Sequence, residues 1–138
     1  MDTTQHVKLL EFNVLGDEKG LLVAVEQEKQ IPFDIKRLFY IYDTDTGVVR
    51  GQHANKYSEF CLVAVVGSCK VKILYPHGIE ENFELTSPNK ALYIPKMIWK
   101  EMYDFSSDCV LLVMSNEFYN PTEYIDSLDD YLVGDDNG

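Results

Sequence analysis

Short runs of β-type residues follow one another from about residue 20 to residue 115, and turn residues separate each run from the next. The runs are "LLVAVEQ", "RLFYIYDT", "FCLVAVV", "CKVKILY", "IEENFEL", "ALYIP" and "CVLLVMS". Strands that recur at this spacing are typical of a β-sandwich or barrel. We therefore predict an all-β fold, with hairpins near residue 67 and near residue 77, where Gly67-Ser68 and Pro76-His77-Gly78 supply turn chemistry.

Two of the runs also predict how their side chains are buried. "CKVKIL" alternates between lysines on one face and apolar residues on the other, which indicates a half-exposed strand. "FCLVAVV" does not alternate, so we expect it to be buried on both faces. The three cysteines, Cys61, Cys69 and Cys109, lie in or beside apolar runs without CxxC spacing, and we expect buried thiols.

Only the end of the chain has a helical pattern. In "NPTEYIDSLDDYL", Asn120 is suited to cap a helix, Pro121 to occupy its first turn, and Glu123 to complete a capping box. Ile125, Leu128 and Leu132 would then form one apolar stripe. At 138 residues, we predict one domain over 1–138 with its core at about 8–132, a short C-terminal helix and a frayed tail at 133–138.

The net charge of −11 argues against nucleic acid or an anionic membrane as a partner, because basic surfaces bind both. No apolar run approaches the roughly 18 residues of a membrane span, and the N-terminus lacks the pattern of a signal peptide, so we expect a cytoplasmic protein. Four cations nevertheless cluster around "RGQHANKYSE", namely Lys36, Arg37, Arg50 and Lys56. They are either scattered surface charges or a site for a small anion.

The same stretch raises three alternatives: a metal site, a proton-transfer site or an ordinary turn. The pattern Gly51, His53, Asn55, Glu59, Gly67 has the skeleton of a first cupin motif, with Asn55 in place of the second histidine of HxH. "YIPKMIWKEM" looks like the second cupin element, with Lys100 at its histidine position.

A metal-binding cupin needs several imidazoles and a carboxylate around one ion. Only His53 and Glu59 remain as good ligands, and an inward-pointing Lys100 would repel a divalent cation and could pair with Glu59 instead. We predict no metal.

Longer stretches resemble one branch of the cupins, the sugar-nucleotide 3,4-ketoisomerases that act on dTDP-4-keto-6-deoxyglucose. These stretches are "GLLVAVEQEKQIPFDIKRLFYIYDT", "RGQHANK", "GSCKVKI" and "ALYIPKMIWKEMYDFSSDCVLLVMSNEFYNPTEYI". The resemblance implies a single-domain jelly-roll homodimer, often with swapped N-terminal strands, that works without metal or organic cofactor. It also implies a dTDP-linked keto-deoxysugar as substrate and a role in deoxysugar biosynthesis for antibiotics or for surface polysaccharides, O-antigen among them.

Such an isomerase moves a ketone from C4 to C3 of the sugar through an enediol, which requires proton transfer near neutral pH. His53 matches the first motif histidine and is our candidate for this transfer, with Glu59 fixing its tautomer. Asn55 has no titrating proton but can orient a substrate hydroxyl or carbonyl. Lys100 can stabilise the developing enediolate oxygen if it points into the barrel.

The resemblance places Arg37, Arg50 and Lys56 at the nucleotide end of the pocket, where arginine can bind phosphate oxygens with two hydrogen bonds. Tyr40 and Trp99 are candidate substrate contacts, with ordinary packing as the alternative for each.

Two other functions stay open because Asn55 and Lys100 replace expected histidines. One alternative is a sugar-nucleotide-binding cupin that is non-catalytic or accessory. The other is a different isomerase or epimerase that acts on a related sugar nucleotide.

Overall fold

The computed structural model describes residues 6–136. Within that range the chain forms short strands, a 3₁₀ helix at Pro121–Glu123 and one α-helix, α1, at Leu128–Asp136. The strands are β1 Lys8–Glu11, β2 Leu15–Asp17, β3 Gly20–Leu22, β4 Arg37–Tyr42, β5 Arg50–Asn55, β6 Phe60–Val66, β7 Cys69–Leu74, β8 Glu80–Leu85, β9 Lys90–Ile94, β10 Trp99–Tyr103, β11 Val110–Ser115 and β12 Tyr124–Ile125.

Two five-stranded antiparallel sheets pack face to face. The first sheet has the order β1-β9-β6-β11-β4, and the second has the order β12-β5-β10-β7-β8. Strands β2 and β3 pair with each other as a separate two-stranded hairpin. The chain crosses repeatedly between the two large sheets, so the predicted all-β class and the jelly-roll architecture are confirmed.

The main core lies between the sheets, and its members include Leu62, Ala64, Val71, Ile73 and Leu92. Strand β7 alternates between buried and half-buried positions, as its sequence predicted. Residues 60–64 of β6 are buried on both faces because the segment from Val23 to Ile35 covers the outer face of the first sheet. That prediction is therefore confirmed up to Ala64, while Val65 and Val66 are exposed.

Of the two predicted hairpins, the one near residue 77 is confirmed, since β7 and β8 pair directly across it. The hairpin near residue 67 is wrong, because β6 belongs to the first sheet and β7 to the second. Gly67 makes this crossing at φ +70°, where an added Cβ would lie 2.3 Å from Ser106 Oγ. The run "LLVAVEQ" is a strand only as far as Leu22, since the following residues pack on the first sheet instead of pairing.

The C-terminal segment differs from the single helix that its pattern predicted. Asn120 does cap, accepting a hydrogen bond from Thr122 N at 3.1 Å, but the helix that it caps ends at Glu123. Ile125 lies in β12 and Leu128 is 40% exposed, so the three residues do not form one helical stripe. Ile125 and Leu132 nevertheless both pack against the buried cluster that contains Tyr131.

Helix α1 packs instead through Tyr131, which contacts Trp99 and Ala54. The helix continues to Asp136, where fraying was predicted, and residues 137 and 138 lie outside the described part. All three thiols are buried and free, as expected. No helix within residues 6–136 has the length and apolar character needed to cross a membrane.

Candidate active site

A cavity of about 420 Å³ opens between the ends of the two large sheets. Its volume is within the range of about 300 to 1,000 Å³ of small-molecule sites. One wall is apolar and comes from the first sheet, the opposite wall is polar and comes from β5 and β10, and the C-terminal segment covers one side. The lining residues are Phe39, Ile41, Arg50, Gly51, His53, Phe60, Leu62, Lys100, Met102, Val113, Tyr119, Pro121, Tyr124 and Asp126.

His53 is held in the cavity by its own strand and by the C-terminal segment. Its Nδ1 lies 3.0 Å from the carbonyl oxygen of Gly51, and the ring of Tyr124 packs against the imidazole with centroids 4.6 Å apart. Because a carbonyl oxygen only accepts hydrogen bonds, Nδ1 carries the proton in the neutral ring and Nε2 has a free lone pair. Burial and the charge of Lys100 lower the pKa of His53 to about 4, so the ring is neutral at pH 7.

Lys100 is on β10 directly opposite His53, and their Cα atoms are register partners. Side chains of such a pair share one face of the sheet, with Cβ atoms about 5 Å apart. Lys100 is buried, and its ammonium lies 4.4 Å from the centroid of the Phe60 ring. Burial lowers its pKa to about 7, although the charge of Glu123 acts in the opposite direction. The ammonium can therefore lose a proton near neutral pH.

Asn55 holds the lysine in place. It follows His53 by two residues on β5, which puts both side chains on the same face. Its Oδ1 accepts a hydrogen bond of 3.0 Å from Lys100 Nζ, and the whole side chain is buried. Nδ2 has no well-formed hydrogen bond to any of the described residues. It does lie close enough to the Glu123 carboxylate to stabilise the negative charge of that group.

Glu123 is a buried carboxylate that fastens the C-terminal segment over the cavity. It accepts hydrogen bonds from the backbone N–H groups of Tyr57 and Ser58 and from the Ser58 hydroxyl. Burial acts to raise its pKa, but these hydrogen bonds outweigh burial and the pKa lies below its ordinary value. Glu123 is thus an anion at pH 7 and partly balances the charge of Lys100.

Two arginines lie at the cavity. Arg50 is among its lining residues. The guanidinium of Arg37 lies 5.0 Å from the ring of Phe39 and 5.6 Å from that of Tyr119, both of which line the cavity. The Nε of Arg37 is buried and has no hydrogen-bond partner in the part of the chain that the structure describes. A ligand with anionic oxygens near this rim would supply the missing acceptor.

Tyr40 and Trp99 are not at the cavity, and strand alternation is the reason in each case. Tyr40 is 59% exposed because Phe39 and Ile41, its neighbours on β4, are the residues that face inward. Trp99 precedes Lys100 on β10 and so faces the other side, where it packs against Tyr131. Trp99 is therefore packed inside the fold, and Tyr40 lies on the outer surface of the first sheet.

Glu59 and Lys56 are also away from the cavity lining. The Glu59 carboxylate is hydrogen-bonded to the Tyr93 hydroxyl and to Asn116 and lines a different cavity. It therefore contacts neither His53 nor Lys100, because the chain turns between β5 and β6 and carries Glu59 to another face. Lys56 is exposed, and only its backbone N–H reaches the site region, where it donates to Glu123 O.

Sequence reasoning missed the contribution of the C-terminal segment. Tyr119, Tyr124 and Asp126 line the cavity, and Glu123 fastens the segment that carries them to Ser58. The helical pattern of this segment concealed that role, because it predicts side chains that pack along one stripe. The available sequence signal was an acid between two tyrosines and next to a proline in "YNPTEY".

Comparisons with known proteins agree on one family. The family described as "FdtA: WxcM-like, C-terminal" matches residues 5–134. The chain is 44% identical over 124 residues to the TDP-4-oxo-6-deoxy-alpha-D-glucose-3,4-oxoisomerase of Aneurinibacillus thermoaerophilus, covering 90% of this chain and 88% of that protein.

Solved structures give the same result. QdtA, a sugar 3,4-ketoisomerase from Thermoanaerobacterium thermosaccharolyticum in complex with TDP, is 38% identical with a TM-score of 0.91, covering 95% of each chain. A histidine-to-asparagine variant of QdtA in complex with TDP-4-keto-6-deoxyglucose is 37% identical with a TM-score of 0.91, covering 95% of this chain and 94% of that chain. The family match, the sequence identity to these ketoisomerases and the shared fold show that the chain belongs to the FdtA family of sugar-nucleotide 3,4-ketoisomerases.

Proposed function

We propose that the chain is a sugar-nucleotide 3,4-ketoisomerase that converts dTDP-4-keto-6-deoxyglucose into a dTDP-3-keto-6-deoxyhexose. The observation that carries this proposal is the neutral imidazole of His53, which lies in the cavity opposite a buried cation on the paired strand. A base and a positive charge at one small-molecule cavity are what the removal of a proton next to a ketone requires.

In the proposed reaction, Nε2 of His53 removes the hydrogen from C3 of the sugar as a proton, and the C3–H electron pair forms the C3=C4 bond of an enediol. The ammonium of Lys100 stabilises the negative charge that develops on the C4 oxygen. His53 then returns a proton to C4. The C3 hydroxyl loses its proton and becomes the ketone, while the C4 oxygen gains a proton and becomes the hydroxyl. A positioned base of this kind typically contributes about 10² to 10⁴ in rate.

The cations at the rim are proposed to bind the diphosphate. Arg50 lines the cavity, and Arg37 packs over two of its lining residues, Phe39 and Tyr119. The unpartnered Nε of Arg37 favours an anionic ligand there. Lys56 is proposed to act only as a nearby surface charge, since its side chain is exposed. The TDP and TDP-keto-sugar complexes of QdtA support a ligand of this class.

A non-catalytic or accessory sugar-nucleotide-binding protein is the second candidate. Asn55 and Lys100 stand where the family pattern has histidines, and a histidine-to-asparagine variant of QdtA was crystallised with the keto sugar. Binding without turnover is the outcome that this alternative predicts.

We also propose that the protein is a homodimer. Leu15, Leu21 and Leu22 on the β2–β3 hairpin are 54%, 78% and 56% exposed, and an isolated two-stranded hairpin is marginally stable in water. A second apolar surface, Leu38, Tyr40 and Tyr42, lies on the outer side of β4. Pairing with a second copy, with or without exchange of N-terminal strands, would cover such surfaces. A cytoplasmic location and a role in deoxysugar formation for surface polysaccharides or antibiotics remain predictions.

The test is to incubate the protein with dTDP-4-keto-6-deoxyglucose and to follow the sugar ring by NMR. The wild-type chain should produce a 3-keto sugar. His53→Asn should lose at least about 100-fold in rate while still binding TDP. His77→Asn changes an exposed histidine and is the matched control. Tight TDP-sugar binding with no product would support the binding protein, and a product with altered configuration but its ketone still at C4 would indicate an epimerase.

A further inference from the structure

The proposed reaction moves protons at four atoms, and one imidazole cannot hold all of them. C3 loses a proton and C4 gains one, while the C4 oxygen gains a proton and the C3 oxygen loses one. While His53 carries the proton from C3, its ring has no lone pair left to accept the proton of the C3 hydroxyl. A second partner that both gives and takes a proton, either water or a group of the protein, therefore acts at the two oxygens.

Lys100 is placed to be that group. It lines the same cavity as His53, and the two residues are register partners on neighbouring strands, so both side chains reach the substrate space from one face. Its ammonium is out of water, against Phe60, and has a neutral amide oxygen as its hydrogen-bond acceptor instead of a carboxylate. An amide oxygen balances no charge, so the lysine keeps the freedom to release its proton.

We propose that Lys100 is a second proton-transfer residue, which moves a proton between the C4 and C3 oxygens of the enediol while His53 moves one between the carbons. Asn55 is a positioning residue that aims the lysine nitrogen at those oxygens. The inference rests on the proposed function and assigns Lys100 a role beyond charge stabilisation.

The proton balance closes without any co-reactant. His53 starts neutral and Lys100 starts as the ammonium. His53 takes the C3 proton as Lys100 gives a proton to the C4 oxygen, and the neutral enediol forms. The amine of Lys100 then takes the proton of the C3 hydroxyl, and the C3=O bond forms. The imidazolium of His53, whose N–H exchanges with solvent, gives a proton to C4. Both residues end in their starting states.

The charges around Lys100 keep its titration near neutral pH. His53 faces it from β5, Glu123 from the C-terminal segment, and Asp126 and Arg50 also line the cavity. Burial favours the neutral amine, whereas the Glu123 carboxylate favours the ammonium, and the resulting pKa is about 7. An acid or base works best with a pKa near the working pH.

The test separates proton transfer from charge alone. Lys100→Arg keeps a positive charge that does not deprotonate in proteins. In deuterated water, two rates are measured for each variant: deuterium uptake at C3 of the recovered substrate, and formation of the 3-keto product. We expect isomerisation by Lys100→Arg to fall at least about 100-fold, and uptake at C3 to fall by less than about 10-fold. The arginine still stabilises the enediolate but cannot carry the proton between the oxygens.

Lys100→His and Lys100→Met show whether a titrating group is what matters. Histidine should recover at least about 10-fold more isomerisation than methionine, even if arginine fits the site poorly. Thermal melting checks that each variant is folded. Asn55→Leu should move the alkaline limb of the pH–rate profile to lower pH, because the ammonium loses its acceptor, and this shift distinguishes positioning from mere packing.

Retained isomerisation in Lys100→Arg would overturn the inference, because charge alone would then be sufficient. Equal losses of both rates in Lys100→Arg, with no recovery in Lys100→His over Lys100→Met, would overturn it as well. No deuterium uptake and no product with the wild-type chain would contradict the proposed function itself, and the inference with it.

Discussion

At the scale of single residues, the site consists of two neighbouring groups, His53 and Lys100, whose pKa values both lie below their ordinary values. Burial and, to a smaller extent, the charge of Lys100 lower the pKa of His53 to about 4. Lys100 in turn is the only buried lysine among the described residues, and burial lowers its pKa to about 7. At pH 7 the imidazole is therefore a free base, and the lysine is near the midpoint of its titration.

These pKa values predict the pH dependence of activity. The free-base form of His53 persists as the pH falls from 7 to 5.5, so kcat/KM should not decline across this range. An ordinary histidine, with a pKa of about 6.5, would be mostly protonated at pH 5.5. Activity should decline as the pH rises through about 7, because the ammonium of Lys100 is lost. A decline centred near pH 6.5 on the acid side would show that His53 is exposed to water and would contradict the geometry.

Lys100 also makes the stability of the fold depend on pH. Below pH 7 both the native and unfolded states carry the ammonium, and the native state bears the cost of burying it. Between about pH 7 and 10.5 the unfolded state binds more protons, so this contribution to stability rises with pH. Lys100→Met should therefore raise Tm more at pH 6 than at pH 9. Lys96→Met, at an exposed position, is the control, and an equal or larger gain at pH 9 would contradict the burial of the charge.

At the scale of elements, the strand pair β5–β10 was only partly predictable. The cupin-like spacing identified His53 and the position of Lys100, but the local sequence does not set which residues face each other across strands. That register depends on a backbone irregularity between Lys100 and Glu101 and on Gly51. At Gly51, φ is +85° and an added Cβ would lie 2.9 Å from the carbonyl oxygen of Lys100, so larger residues are excluded there.

The candidate residues that lie away from the cavity do so because of strand geometry and chain turns. Tyr40 and Trp99 have the right chemistry for a ligand site, but alternation along each strand turns them away from the cavity. Glu59 is close to His53 in sequence and yet bonds to Tyr93, because a turn intervenes. Composition and motif spacing predict which strands carry the site. Which side chains of those strands face the cavity depends on how the strands pair with distant strands in the sheets.

The C-terminal segment should depend on Glu123. Glu123→Ala leaves the N–H groups of Tyr57 and Ser58 without their acceptor, and we expect a loss of about 3 kcal/mol in the free energy of unfolding. KM for the sugar nucleotide should rise as well, since the segment carries Tyr124. Denaturant unfolding checks the first result, with the exposed Glu11→Ala as control. A stability change below about 0.5 kcal/mol would show that the segment is anchored elsewhere.

At the scale of the whole molecule, the exposed apolar surfaces predict a dimer. Light scattering in line with gel filtration should give twice the chain mass of 15.9 kDa. Leu21→Asp places a charge on the β2–β3 hairpin and should shift the population towards the monomer. Ile79→Asp changes an equally apolar exposed residue in the β7–β8 turn and should leave the mass unchanged. A monomeric wild-type chain would contradict the prediction.

The single-domain organisation over 1–138 also remains a prediction. The two sheets share one core, so heating should give one cooperative transition over the region 8–132.

The whole account depends on the carbon-bound proton that His53 is proposed to move. The most direct measurement is deuterium at C4 of the sugar after the wild-type chain has acted on dTDP-4-keto-6-deoxyglucose in deuterated water. The imidazolium N–H of His53 exchanges with deuterated water before it protonates C4, so the proposed mechanism predicts a 3-keto product that carries solvent-derived deuterium at C4. His53→Asn should lose this product. A 3-keto product formed at an undiminished rate by His53→Asn would contradict it.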